Sequence, residues 1–416
     1  MTWQSPRAER VAPAYLLLFA SLYAIQGVVV AYFFNFNQLY MEAAGVAPTT
    51  IGWVQTMATL PLVFKFLGGP LSDRVNFFGF GHRRPYIILG LILQTLGLVG
   101  LTLIDPGRHL GGFATLALVA VTGLALYDTC CDGMAIDTTP PGDRARVQGI
   151  LVASRFVATA ICSWGFGHWL ERTGTGPGRG DGVLWACAGL GLIPLVQTLG
   201  VREPRRAADA EAFDWRALCV LIRPRSLALL GFGALYATVA YGVEINLSLF
   251  YSHEGFRSDA IGDFASARYI GRAVGAALLP LGTAWLGRRG VLTIGVALLT
   301  ASTAGQVLVG GRGSALFWGL AFGAANGWDD ALFNVLSMEA SDPRLAASTY
   351  ALFMAVSNLS VTGGGIFAST VQAFGGRYRP VFLGSALIAL ASWLLTPPLW
   401  RPPAKPEPEP VDDLMA

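Results

Sequence analysis

Charge is scarce in this chain. Only 13% of its 416 residues are Asp, Glu, Lys or Arg, against roughly 25% in a soluble globular domain. Histidine is scarcer still. His82, His109, His168 and His253 all fall in or near expected loops, which argues against a histidine proton relay. The five cysteines, Cys130, Cys131, Cys162, Cys187 and Cys219, have neither zinc-ligand spacing nor the framework of a disulfide scaffold. Free, buried thiols are expected instead. No Walker loop and no dinucleotide fingerprint is present, so nothing points to ATP hydrolysis or to a bound cofactor. No nucleophile–base pair or metal constellation is visible either, and the chain reads as a non-enzyme. A net charge of +3 carries no sign of a nucleic-acid partner. No cleavable leader is expected, because Met1–Arg10 is polar and the next apolar run is long enough to be a span.

What is abundant is apolar surface. Hydrophobic residues make up 53% of the chain, and the mean hydropathy is +0.52. The length accommodates about twelve runs of ~20 residues, the length needed to cross a hydrocarbon core of ~30 Å. Spans are predicted at 13–36, 49–71, 85–104, 112–138, 144–170 and 182–200, then at 227–251, 260–286, 290–310, 313–338, 344–372 and 378–397. All should be helices, since an open strand cannot satisfy its backbone in lipid. The expected class is thus an all-α membrane protein.

Arg and Lys in the loops set an orientation. Arg7, Arg10, Arg74, Arg83, Arg84, Arg144, Arg146, Arg288, Arg289, Arg344, Arg401, Lys405 and the cluster between Arg202 and Arg225 fall on one side. The other side holds a smaller group: Arg108, Arg172, Arg179, Arg257, Arg312, Arg377 and Arg379. This asymmetry predicts cytoplasmic termini in a cell's inner membrane. The charged stretch 201–226 divides a six-span bundle, 1–200, from a second, 227–397, and the Pro-rich 398–416 reads as a disordered tail. The halves echo each other. Asp132 precedes Asp143-Arg144 by eleven residues, and Asp330 precedes Asp342-Pro-Arg344 by twelve.

Charges inside spans are expensive and mark functional sites by default. Four bases lie there, Lys65, Arg155, Arg268 and Arg272, with five acids, Asp128, Asp132, Glu244, Asp329 and Asp330. Helix rise puts Asp128 and Arg155 at similar depth, and Asp132 and Lys65 at another, so Asp128–Arg155 and Asp132–Lys65 are predicted pairs. Arg268 and Arg272, spaced i,i+4, share a face and need anionic company. Glu244 matches the depth of Arg268, while Asp329 and Asp330 are candidates for Arg272. The surplus acid should carry a proton, with Asp132 the first choice, Asp128 the second and Glu244 a third. Asn35, Gln26, Tyr241 and Trp328 could line a cavity and touch solute. The same charges could instead be static ties between helices.

The loop GGPLSDRVNFFGFGHRRPYI resembles the signature loop of the major facilitator superfamily, through Gly69, Asp73, Arg74, Gly81, Arg83 and Arg84. Two parallel six-helix repeats, twelve helices in all, are the plan of that fold. With the preceding VFKFL, the Asp128, Asp132 and Asp137 triplet, Asp143-Arg144 and Arg155, the first half is similar to the AmpG-like group of muropeptide permeases and acetyl-CoA transporters. That resemblance implies a gate built from Asp73, Arg74, Arg83, Arg84, Asp137 and Arg144. It also implies proton symport of an anionic polar solute, such as an anhydro-muropeptide or amino-sugar peptide, by a monomer. A CoA-thioester or other organic-anion transporter, or a membrane assembly factor that transports nothing, is the alternative.

Overall fold

The computed structural model describes residues 10–65, 81–140, 143–203, 222–340, 346–360 and 363–401. Every regular element among them is helical. The first half holds α1 (Pro13–Asn35), α2 (Asn37–Ala43), α3 (Pro48–Phe64), α4 (Arg84–Leu101), α5 (Leu110–Thr138), α6 (Arg144–Thr173) and α7 (Asp181–Gly200). The second holds α8 (Pro224–His253), α9 (Ser258–Gly305), α10 (Arg312–Ala340), α11 (Ala346–Leu359), α12 (Gly363–Ala373) and α13 (Tyr378–Ala391). Proline opens α1, α3, α4 and α8. At that position its missing N–H would have had no helical partner anyway.

Among the described residues, nine helical stretches are long and apolar enough to cross a membrane. The chain is an integral membrane protein. The region expected to hold two spans at 260–286 and 290–310 is a single helical track, α9, of 48 residues. At ~1.5 Å per residue such a helix, if straight, would far exceed a bilayer. It is interrupted at Gly287, where φ is 63° and ψ is 179°, a conformation open to glycine because it has no Cβ. The two legs fold back on one neighbour. The Arg272 carbonyl of the first leg lies against Gly327 of α10, and Gly295 of the second lies against Asp329.

The near end of the bundle holds residues 10–15, 139–140, 143–146, 198–203 and 399–401, and the far end is the other. The halves meet along α6 and α9 and along α3 and α12. At the α6–α9 crossing a Cβ on Gly167 would stand 2.6 Å from the Ser258 carbonyl, so only glycine permits this approach. Asp73 and Arg74, residues 204–221 of the connector, Cys219, Asp342, Arg344 and the tail from 402 lie outside the described residues. The Arg144 side chain does too. Cys130, Cys131, Cys162 and Cys187 take part in no disulfide among the described residues.

Candidate functional site: charges between the two halves

In the first half the charges do not pair as depth alone predicts. Lys65 Nζ lies 3.1 Å from Asp128 Oδ2. Asp132 accepts instead from the Tyr23 hydroxyl of α1. Arg155 has no carboxylate within ion-pair range among the described residues, and its guanidinium stands 5.0 Å from the Phe156 ring centroid. Both predicted pairs, Asp128–Arg155 and Asp132–Lys65, are therefore corrected. The reason is lateral. α5 packs on α4 and α3, whereas α6 packs on α1 and α9. Helix rise fixes height, and consecutive helices at one height need not be neighbours.

The second half is more fully bonded. Glu244, almost wholly buried, lies 3.6 Å from Arg268 Nε and 3.2 Å from Arg272 Nη1. Arg272 also donates to Asp330 through Nε (3.0 Å) and Nη2, and to the Tyr241 hydroxyl at 3.4 Å. Tyr236 donates to the other oxygen of Asp330 at 3.3 Å. The i,i+4 arginines thus share one carboxylate, and the second acid serves Arg272 alone. Asp329, the other expected partner for Arg272, is absent from this network. Successive residues on a helix are ~100° apart, so adjacent acids face different ways.

Two contacts join the clusters. Arg268 donates to Asn35 of α1. The Arg272 guanidinium lies 5.9 Å from the Phe156 ring centroid, so one aromatic ring of the first half has an arginine of each half beside it. Phe34 and Tyr241 add a second aromatic contact across the halves, with centroids 6.4 Å apart. Asn35 and Tyr241 therefore belong to the set. Gln26 is buried in α1, with no bond to its carbonyl oxygen. Trp328 does not join the cluster, for its indole donates to the Val291 carbonyl at 3.0 Å.

At the near end, Arg83 Nε is 3.6 Å from Asp137 Oδ2, and Arg84 Nε donates to the Thr198 carbonyl at 3.0 Å. Glu203 accepts from the backbone N–H groups of His82, Arg83 and Arg84, placing an anion where the positive end of the α4 dipole favours one. Asp143 binds Arg146 (2.7 and 2.9 Å) and the Val11 N–H (2.9 Å). The Arg146 guanidinium holds the Asp143 carboxyl down at about 2. At the far end the halves are latched. Glu42 accepts from Ser252 (3.1 Å) and pairs with His253 (2.6 Å). Glu171 accepts from Arg257 and from the Ser258 N–H at the start of α9. Neither these glutamates nor Tyr23 and Phe156 are singled out by the sequence. A tyrosine or glutamate at a helix end has no local pattern that names its distant partner.

Comparison with known proteins adds a lineage. A family model described as Major Facilitator Superfamily matches residues 12–365. Over 168 residues the chain is 30% identical to the anhydromuropeptide permease of Escherichia coli strain K12, covering 40% of this chain and 33% of that protein. Over 117 residues it is 31% identical to a probable folate-biopterin transporter 8, chloroplastic, of Arabidopsis thaliana, covering 28% of this chain and 20% of that one. These matches span about a third or less of the relatives' own length. Among solved structures, the nucleoside transporter NupG superposes with a TM-score of 0.71 at 13% identity, covering 92% of this chain and 98% of that one. A bacterial homologue of the human lysosomal transporter Spinster, inward-facing and unoccupied, gives 0.64 at 16% identity, covering 92% of this chain and 93% of that one.

Proposed function

The chain belongs to the major facilitator superfamily, and from that footing we propose that it couples a proton to the movement of a polar, anion-bearing solute. It is a membrane transporter of small molecules rather than an enzyme. Alternating access arises as two six-helix halves, 1–200 and 227–397, rock about the α6–α9 and α3–α12 contacts. The protein works as a monomer in an inner membrane, with both termini in the cytoplasm.

One observation carries this reading. Lys65 is neutralised by Asp128, and Arg268 and Arg272 by Glu244 and Asp330, but Arg155 has no acid among the described residues. It stands half-buried beside an aromatic ring at the junction of the halves. A guanidinium in that position suits a carboxylate or phosphate, held by two parallel N–H donors. A hydrogen bond to a charged group contributes roughly 1.5–3 kcal/mol. In the first half Asp132, bonded only to a hydroxyl, is the acid free to take a proton. When solute occupies Arg155, the field that favours the Asp132 carboxylate is offset, and Asp132 takes up the proton that travels with the solute.

The sequence match to an anhydromuropeptide permease supports an anhydro-muropeptide or amino-sugar peptide as cargo. The Phe156 ring and the folate-biopterin transporter matches support a second reading, a flat heteroaromatic carboxylate stacked on that ring. CoA thioesters satisfy the same anion requirement. A thermal-shift series on purified protein separates these classes, using anhydro-muropeptides, folates, CoA esters and sugar phosphates. One class should stabilise the wild type and lose its effect in Arg155→Ala. Should no anion shift the wild type, or should the shift survive that substitution intact, the proposal fails.

A further inference from the structure

Asp329 is the one intramembrane acid that has neither an ion pair nor a hydrogen bond among the described residues. Its side chain is fully enclosed, at 0% exposure, and neither carboxyl oxygen has a hydrogen-bond partner. Beside it in sequence, Asp330 is held by Arg272 and Tyr236. Asp329 points the other way, into the seam between α10 and the second leg of α9. A Cβ on Gly295 there would stand 2.1 Å from Oδ1, so a glycine makes room for the carboxyl. Trp328 closes the same seam, its indole bonded to the Val291 carbonyl.

Among the described residues no cation reaches this pocket. The second leg of α9 carries no titratable residue after Arg289. Arg288 is committed to Glu339 at 2.5 Å, and the Arg289 guanidinium lies 4.4 Å from the Trp400 ring centroid. The titratable groups within electrostatic reach are Asp330 and Tyr236, neither of them positive. An isolated carboxylate in an apolar interior is far costlier than the neutral acid.

We propose that Asp329 is a proton-binding site, occupied in this conformation and separate from Asp132, which accepts from Tyr23 in the other half. The remaining eight intramembrane charges, four acids and four bases, balance without it. Losing the proton would place an unpaired anion against Gly295, and it requires the α9–α10 seam to part so that water can enter. Proton occupancy and the closure of that seam are therefore linked. This inference is independent of which solute is carried.

Infrared difference spectroscopy of the purified wild type, titrated through neutral and alkaline pH, tests it without any transport readout. A protonated carboxylic carbonyl band should be present at neutral pH and missing from Asp329→Asn. The melting temperature of the wild type should fall as pH rises through neutral into the alkaline range, and Asp329→Asn should lose most of that fall. Absence of the band, its persistence in Asp329→Asn, or an equal fall in both proteins would overturn the proposal. Failure of Asp329→Asn to fold would do so as well, because asparagine is the neutral isostere.

Discussion

The two halves treat their intramembrane charges differently. In the second, Glu244, Arg268, Arg272 and Asp330 form one network, with Arg272 bonded to two acids and a tyrosine. In the first, Lys65 and Asp128 form a single pair, Asp132 rests on the Tyr23 hydroxyl, and Arg155 has an aromatic face but no anion among the described residues. A closed network resists exchange, since each member is held by several others. A loose set can trade partners at small cost. On the proposed function, the contrast gives the exchange of solute at Arg155 and of its proton at Asp132 to the first half, and a more tightly held arginine network to the second.

The strongest way to break that contrast is Glu244→Ala, which leaves buried Arg268 without its acid and Arg272 with Asp330 alone. Removing one partner of a buried ion pair costs about 3–5 kcal/mol, so folded yield and melting temperature should drop steeply. Arg155→Ala should spare the fold and weaken anion binding by about tenfold or more, the factor that ~1.4 kcal/mol represents. Titration calorimetry on the solute identified by thermal shift measures it. If Arg155→Ala destabilised the protein more than Glu244→Ala, the division of roles would be reversed. Asp132→Asn should insert and bind solute normally but lose acceleration of uptake by an imposed proton gradient in proteoliposomes. Unchanged gradient-driven uptake in both Asp132→Asn and Asp128→Asn would remove the symport mechanism.

The smallest effect belongs to the near-end clasp. Asp143 is held at about 2 by its bonds to Arg146 and Val11, below the ~3.9 of a free aspartate. Its contribution to stability is complete above the free value and is lost as pH falls from about 4 towards about 2. The acid limb of a melting-temperature profile should flatten slightly in Asp143→Asn. An identical acid limb would show that the clasp contributes nothing.

Much of this arrangement is legible before any coordinates. The long apolar runs, the interruption near residue 287 and all nine intramembrane charges follow from hydropathy and residue type. The shared face of Arg268 and Arg272 follows from helical spacing, as does the level of Glu244 beside them. The separation of Asp329 from Asp330 was equally available from the ~100° turn per residue, yet both appear as candidates for Arg272 when only depth is weighed. Lys65–Asp128 was not available. It depends on α3 lying against α5 while α6 turns to α1 and α9.

By itself, then, the sequence determined what must be buried and at what height. Apolar length and the cost of charge in lipid are local quantities, summed along one helix. Only the tertiary structure decided who meets whom. Lateral placement is set by packing between helices distant in the chain, as when Tyr23 of α1 takes Asp132 of α5 and Phe156 of α6 stands beside Arg272 of α9. That same packing left Arg155 without an acid and Asp329 without a cation among the described residues.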